Sequence, residues 1–346
     1  MDFSHELISW YQRNGRDLPW RQTRDPYAIW VSEIILQQTR VVQGMAYYLR
    51  FMERFPDVVS LASASEDEVL KMWQGLGYYS RARNMREAAR QVVERFGGVF
   101  PKEYEEVRSL KGVGDYTAAA ICSFAYNLPY PAVDGNAYRL LSRFFRVEEP
   151  IDTPQGKRLF TQLSLEVMDK GRPALYNQAV MDLGATICLP AAPNCEACPL
   201  KAGCAMASLT EAEEYPKKAK RMVQRDRYFV YLAVEDGTKT YLRRREGKDI
   251  WKGLYEYPMV ELPAPLSESA DSDWMKPLEQ DFSELHIIGA PVMKKHVLTH
   301  QNIHAAFLRA KGHFLRRKDS AYIEVEKNRL EEYAVSRLME KFLLSE

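Results

Sequence analysis

Leu110-Lys111-Gly112-Val113-Gly114-Asp115-Tyr116-Thr117-Ala118-Ala119 reads as the end of one helix, a Gly-x-Gly turn and the start of a second helix. Glycine permits a positive φ and lets another group approach the backbone closely. The turn also exposes amide N–H groups at the start of the second helix, where the helix dipole favours an anion. Gly112 and Gly114 are therefore candidates to hold a phosphate. A lone Gly-x-Gly turn is common, and the same pattern also serves as a plain helix connection.

Around this turn, residues 1 to about 205 read as mostly helical. The stretches 27–55, 66–73, 81–96, 103–110, 115–126 and 136–147 carry apolar residues at three- and four-residue spacing. No strand pattern and no internal repeat is visible there. Residues 206–226 are polar, lack apolar periodicity and read as a linker. Strand-like runs follow at 228–234, 239–245 and 305–312, with Glu-Asp-Gly-Thr at 235–238 turning the first two into a hairpin. Residues 327–343 read as a helix. The fold class is a mostly α N-terminal region followed by an α+β domain.

Four cysteines close the helical region: Cys188, Cys195, Cys198 and Cys204, separated by six, two and five residues. A disulfide framework does not suit a large cytosolic chain. Clustered thiols point to metal, and spacing alone leaves tetrahedral zinc and a [4Fe–4S] cluster both open. The fifth, Cys122, sits in the apolar run Ala-Ala-Ala-Ile-Cys-Ser-Phe and reads as a small core residue.

Two carboxylates stand out. Glu33 interrupts the apolar run Trp30-Val31-Ser32-Glu33-Ile34-Ile35-Leu36, yet Glu33, Gln37 and Arg40 also fit one polar face of a surface helix. Asp134, in Pro131-Ala132-Val133-Asp134-Gly135-Asn136, is equally suited to cap the helix that begins near Asn136.

The order of hairpin, aspartate and four cysteines over residues 110–204 resembles the endonuclease III and MutY family. Ser32-Glu33 followed by Gln37-Gln38-Thr39 resembles the active-site helix of MutY-type adenine DNA glycosylases, and Gly15-Arg16-Asp17-Leu18-Pro19-Trp20-Arg21 resembles their N-terminal signature. The resemblance implies one structural [4Fe–4S] cluster on the four cysteines. It implies two helical lobes, one of about 25–132 and one joining 1–24 to 133–205, then a linker over 206–227 and a further domain over 228–346. Glu33 becomes the general acid that protonates the leaving adenine, and Asp134 the ionised carboxylate that stabilises a positive sugar. Asn136 would orient Asp134 or Glu33, and Tyr116 would contribute from the hairpin. Tyr116 stands where strand-cutting relatives carry a Schiff-base lysine, so a monofunctional enzyme is implied. Trp20, Arg21, Leu36 and Gln178 would line the adenine pocket. A base must leave the stack to be cut, and Tyr78 and Gln38 would enter the duplex; without the resemblance, Tyr78 and Tyr79 are equally well read as packing aromatics.

The C-terminal domain matches more loosely. Trp251-Lys252-Gly253-Leu254-Tyr255-Glu256-Tyr257-Pro258 resembles a strand of Nudix-type domains, but residues 259–275 are loop-like and lack the acidic helix that binds magnesium. Nucleotide hydrolysis is not expected; the resemblance is to the MutY domain that recognises 8-oxoguanine. Its Phe-Ser-His loop corresponds to Leu298-Thr299-His300, where Thr299 keeps a hydroxyl and Leu298 loses the aromatic contact. His296, His300 and His304 recur every four residues, a spacing that also fits a metal-binding face. No role is assigned to 264–282.

Composition agrees without deciding. The 346 residues exceed one ordinary domain, 46% are hydrophobic, 27% charged, and the net charge is +1. Basic clusters at Arg81, Arg83, Arg86 and Arg90 and over 217–227 could meet phosphates or simply be solvated. With no membrane-length apolar run and no signal core, a cytoplasmic protein is expected, nucleoid-associated if bacterial. The expected activity is hydrolysis of the N-glycosidic bond of adenine opposite 8-oxoguanine or guanine in duplex DNA, by a monomer. The rival readings are a bifunctional glycosylase–lyase acting on oxidised pyrimidines and a non-catalytic iron–sulfur DNA-binding protein.

Overall fold

The computed structural model describes residues 2–219, 224–266, 272–317 and 319–344. Contacts divide the chain into two compact units, residues 1–63 with 87–221, and residues 64–86 with 222–346. The second unit thus takes in a segment, 64–86, that the sequence reading had grouped with the helical lobe of 25–132.

The helices in chain order are α1 (Phe3–Asn14), α2 (Pro26–Leu36), α3 (Val41–Arg54), α4 (Val58–Ser63), α5 (Glu66–Met72), α6 (Ser80–Phe96), α7 (Tyr104–Arg108), α8 (Asp115–Tyr126), α9 (Gly135–Phe145), α10 (Pro154–Val167) and α11 (Pro173–Thr186). The stretch 27–55 is two helices rather than one. Chain direction changes after Leu36, where Gln38 takes φ +56°, and α3 resumes after Arg40 with no side-chain cap. This break ends the helix before Gln37 and Arg40 could extend a polar stripe, and Glu33 is buried at 7% exposure.

In the first unit one core packs α1 against α9 and α11, with Leu7, Ile8, Leu141, Phe160, Tyr176 and Leu183 fully enclosed. Small residues set the spacing. A Cβ on Gly184 of α11 would lie 2.5 Å from Cβ of Asn136, so glycine lets α11 press against the first turn of α9. Cys122 is fully buried in α8, as its apolar surroundings suggest.

The second unit is built on a mixed seven-stranded sheet. Its strands are β1 (Arg225–Asp236), β2 (Lys239–Arg244), β3 (Tyr255–Glu256), β4 (Met259–Leu262), β5 (Phe282–Val297), β6 (Gln301–Phe314) and β7 (Tyr322–Glu326). The main path runs β3-β2-β1-β6-β5, and β1 pairs with β6 in parallel. The expected hairpin joins β1 to β2, with Gly237 at φ +61°. Two apolar clusters cover the sheet: one takes in Leu278 of α12 (Lys276–Glu279), the other Leu338, Met339 and Phe342 of α13 (Arg337–Leu343).

Three readings of local structure are corrected. Residues 327–343 are a 3-10 turn, Lys327–Glu332, and a separate α13, because Ser336 caps the later helix through Met339 N–H. The loop-like stretch after Pro258 includes β4, which pairs with β1 from Tyr228↔Leu262 to Tyr231↔Met259. The long strand β5 had no clean alternation to reveal it: most of its residues are exposed, and its pairing with β6 shifts register twice. The polar segment after the cysteines is also less loose than its composition suggests, since Met206, Ala212 and Tyr215 form a small buried cluster. Residues 267–271 of the unassigned stretch, and Lys220 and Arg221 of the basic cluster, lie outside the described residues.

Candidate active site

Most of the residues singled out by sequence line one cavity of the first unit, with a volume of about 1210 Å³. Glu33 and Leu36 enter from α2, Gln38 from the break after it, and Trp20 and Arg21 from the 3-10 turn Pro19–Arg21. Gly112, Gly114 and Tyr116 enter from the hairpin, Asp134 and Asn136 from the start of α9, and Gln178 from α11.

Glu33 sits on a helix buried on nearly every side, because α2 is apolar over eight of its neighbours' positions and offers no solvent face. Tyr116 Oη donates to Glu33 Oε2 at 2.6 Å. Burial raises the carboxyl pKa to about 7; the Tyr116 hydrogen bond opposes this, Asp134 adds to it, and Arg21 opposes it. Glu33 is thus divided between acid and anion near neutral pH.

Asp134 caps α9, accepting from Ala137 N–H at 2.8 Å, and also accepts from Asn136 Nδ2 at 2.7 Å. Its capping role and its place in the cavity coexist. Burial raises its pKa, while the Ala137 and Asn136 donors hold it down. Arg139 donates to Asn136 Oδ1 at 2.8 Å and to the Cys188 carbonyl at 2.7 Å.

The hairpin turn follows its sequence. Gly112 adopts φ +77°, Lys111 N–H is held by Gln91 Oε1 at 2.8 Å, and Gly114 caps α8 with no side-chain hydrogen bond. The first-turn amides of α8 are therefore not taken by a cap. Asp115 is exposed and paired with Arg108.

Sequence reasoning missed a buried acid behind the cavity, held by two of its lining residues, Arg16 and Arg21. Asp182 of α11 has no exposed side-chain surface, and it is gripped by Arg16 and Arg21. Arg21 forms a fork on it, with both contacts at 2.7 Å. The signal was available: Asp182 interrupts the apolar run Ala179-Val180-Met181 and Leu183, as Glu33 interrupts its own.

The four cysteines line a second cavity together with Leu140, Phe144 and Leu200, and its exposed walls are apolar. All four are free of disulfides. Buried Arg143 donates to Cys188 Sγ at 3.4 Å and to the carbonyls of Leu189, Pro190 and Ala212. Among the described residues no three His, Cys, Asp or Glu side chains stand together as a single-ion site. Soft thiols around one cavity fit a thiolate-bound metal group. Burial pushes the Cys198 thiol up to about 11, so binding has to displace protons.

In the second unit, the β5–β6 turn carries Leu298, Thr299 and His300. Leu298 packs against the sheet core and Gln224 Nε2 donates to its carbonyl at 3.1 Å. Thr299 Oγ1 shares a hydrogen bond with Tyr78 Oη. Tyr78 is 48% exposed at φ +46°, whereas Tyr79 is buried and donates to the Val335 carbonyl. The histidine spacing does not make a metal face. His296 and His304 lie on different strands, paired to Ile303 and Lys295, and His304 is bonded to Asp226 at 2.7 Å.

The fold and the cavity define a base-excision DNA repair protein carrying a sheet domain. A model of the HhH-GPD superfamily of base excision DNA repair proteins matches residues 31–164, and a NUDIX domain model matches residues 229–345. Two relatives named adenine DNA glycosylase are similar. One, from Buchnera aphidicola subsp. Acyrthosiphon pisum, is 34% identical over 74% of this chain and 73% of its own. The other, from Homo sapiens, is 43% identical over 75% of this chain and 57% of its own. The chain belongs to the adenine DNA glycosylase family. Among solved structures, a thermostable thymine-DNA glycosylase aligns at TM-score 0.56 and 29% identity, covering 59% of this chain and 94% of that one. An endonuclease III–DNA complex aligns at 0.52 and 20%, covering 59% and 92%, and shares the fold of the helical region. Among the described residues, no helix is long and apolar enough to cross a membrane.

Proposed function

We propose that this chain removes adenine paired with 8-oxoguanine, or with guanine, from duplex DNA, without cutting the strand. The observation that carries the reading is Glu33, a buried carboxyl with a pKa near 7, bonded to Tyr116 in a cavity it shares with Asp134. An ordinary carboxyl would be ionised at neutral pH and could not protonate a base.

Glu33 gives its proton to adenine N7. The bond from the sugar to N9 then breaks, with its electron pair leaving on the base. Asp134 faces the positive sugar as its carboxylate, held by Ala137 and Asn136. Water adds to the sugar carbon, and Glu33, now ionised, takes the proton. Tyr116 supplies no amine, so no Schiff base forms on that side chain and the strand survives. Trp20, Arg21, Leu36 and Gln178 enclose the base, while Gly112 and Gly114 offer backbone donors to a phosphate. Gln38 and Tyr78 fill the duplex, and Leu298, Thr299 and His300 read the opposite base. Cys188, Cys195, Cys198 and Cys204, around one cavity in the loop after α11, would hold one [4Fe–4S] cluster, with a structural role. The chain works as a monomer, with a helical region over 1–205, a linker over 206–227 and a recognition domain over 228–346.

The test is release of adenine from an 8-oxoguanine:adenine duplex, with the strand examined before and after alkali. Free adenine and scission only after alkali support the reading. Duplex binding without adenine release overturns it, and scission without alkali makes the enzyme a lyase. Iron analysis of the same preparation checks the cluster: a colourless protein with one zinc removes it.

A further inference from the structure

Tyr11 of α1 lies behind the cavity wall, 9% exposed, and no motif marks it. It touches two of the residues that enclose the cavity. The Arg21 guanidinium lies over its ring, 5.5 Å from the ring centre. Tyr11 Oη bonds Gln178 Oε1 at 2.9 Å. Arg21 is in turn fixed by its fork on Asp182.

These contacts have a polarity. Asp182 only accepts, as a carboxylate, and Arg21 only donates. Tyr11 gives its phenol proton to Gln178, and the Gln178 carbonyl is the end that receives it. An amide so tied has one way to face. Its NH2 group is left for the cavity, which Gln178 lines. Without the phenol, the two ends of the amide are nearly the same shape and can exchange places.

We propose that Tyr11 is a positioning residue that holds Gln178 as a hydrogen-bond donor into the base pocket, selecting a base with an acceptor ring nitrogen there. The proposal rests on the adenine-excision reading above. Adenine offers unprotonated ring nitrogens on each edge, whereas hypoxanthine carries N1–H and a carbonyl on its Watson–Crick edge. A polar site built for one pattern rejects the other because a buried group is left unpaired.

The experiment measures single-turnover release of adenine and of hypoxanthine, each placed opposite 8-oxoguanine, by wild type, Tyr11→Phe and Gln178→Glu. Wild type should prefer adenine. Tyr11→Phe keeps the ring and frees the amide, and should lose on the order of tenfold of that preference, the worth of one hydrogen bond to a buried group. Gln178→Glu keeps an acceptor for Tyr11 but removes the donor, and should lose preference similarly even if Tyr11→Phe folds poorly. A Tyr11→Phe enzyme slowed equally on both bases has lost only structure, and this overturns the proposal, as does an unchanged ratio in Gln178→Glu. If wild type releases neither base, the excision reading itself fails; if it releases adenine with no preference to lose, only the role of Tyr11 fails.

Discussion

The cavity of the helical unit and the hairpin tip of the sheet unit treat their polar residues in opposite ways. Glu33 and Asp182 are buried on helices, each with named partners. Thr299 and His300 sit at a turn, and Tyr78, which bonds Thr299, is half exposed. Burial shifts a pKa and so prepares a group for chemistry. Exposure leaves a group free to meet a large surface. Losses at the cavity should therefore be large and chemical, and losses at the tip small and selective.

The sharpest way to break this contrast is at Glu33. Glu33→Gln should slow adenine release about a thousandfold or more while duplex binding survives, since general acid catalysis contributes roughly 10²–10⁴-fold. Asp134→Asn should cost somewhat less, about a hundredfold or more. Asparagine also caps helices, so that variant should keep its fold. Rapid-quench kinetics under excess enzyme read both; retention of more than a tenth of the rate by Glu33→Gln would remove it from the chemistry.

The pH dependence comes next. On the proposed mechanism the acid form of Glu33 is the reactive one, and burial raises its pKa to about 7. The single-turnover rate should stay level below that pH and fall about tenfold per unit above it. A flat profile up to pH 9 would mean that another group donates the proton.

Substituting Glu33 should raise stability where it lowers activity. The folded pKa of Glu33 is raised from 4.5 to about 7, so between those values the folded state holds more protons than the unfolded one. Stability therefore falls as pH rises through that window. Glu33→Gln carries no such charge. It should melt higher than wild type at pH 8, by at most about 3 kcal/mol, and nearly alike at pH 4.5. Thermal melts at the two pH values decide it, and a lower melting point at pH 8 would refute it.

The smallest effect is expected at the tip. Thr299→Val removes the hydroxyl that Tyr78 bonds. It should leave the rate on 8-oxoguanine:adenine within about threefold and lower the preference over guanine:adenine by a few fold, as one exposed hydrogen bond would. A loss as large as that of Glu33→Gln would erase the difference between the two regions.

The local signals were legible because they rest on near neighbours. The turn at Gly112, the cap at Asp134, the four cysteines and the first hairpin of the sheet all depend on residues a few positions apart. Strand β5 was not legible, because an exposed strand with two register shifts carries no alternating pattern. Nor was the linker's buried cluster of Met206, Ala212 and Tyr215.

The sequence by itself determined the helix–hairpin–helix order, the clustering of the thiols and the two carboxylates worth testing. Only the tertiary structure decided that Glu33 is a buried acid rather than part of a polar stripe. Its pKa depends on desolvation by packed helices and on Tyr116, 83 positions away in the chain. The same holds for Asp182 and Tyr11, whose partners lie 161 and 167 residues distant. Charge and hydrogen-bond polarity act through space, and spacing along the chain does not record which side chains will meet there.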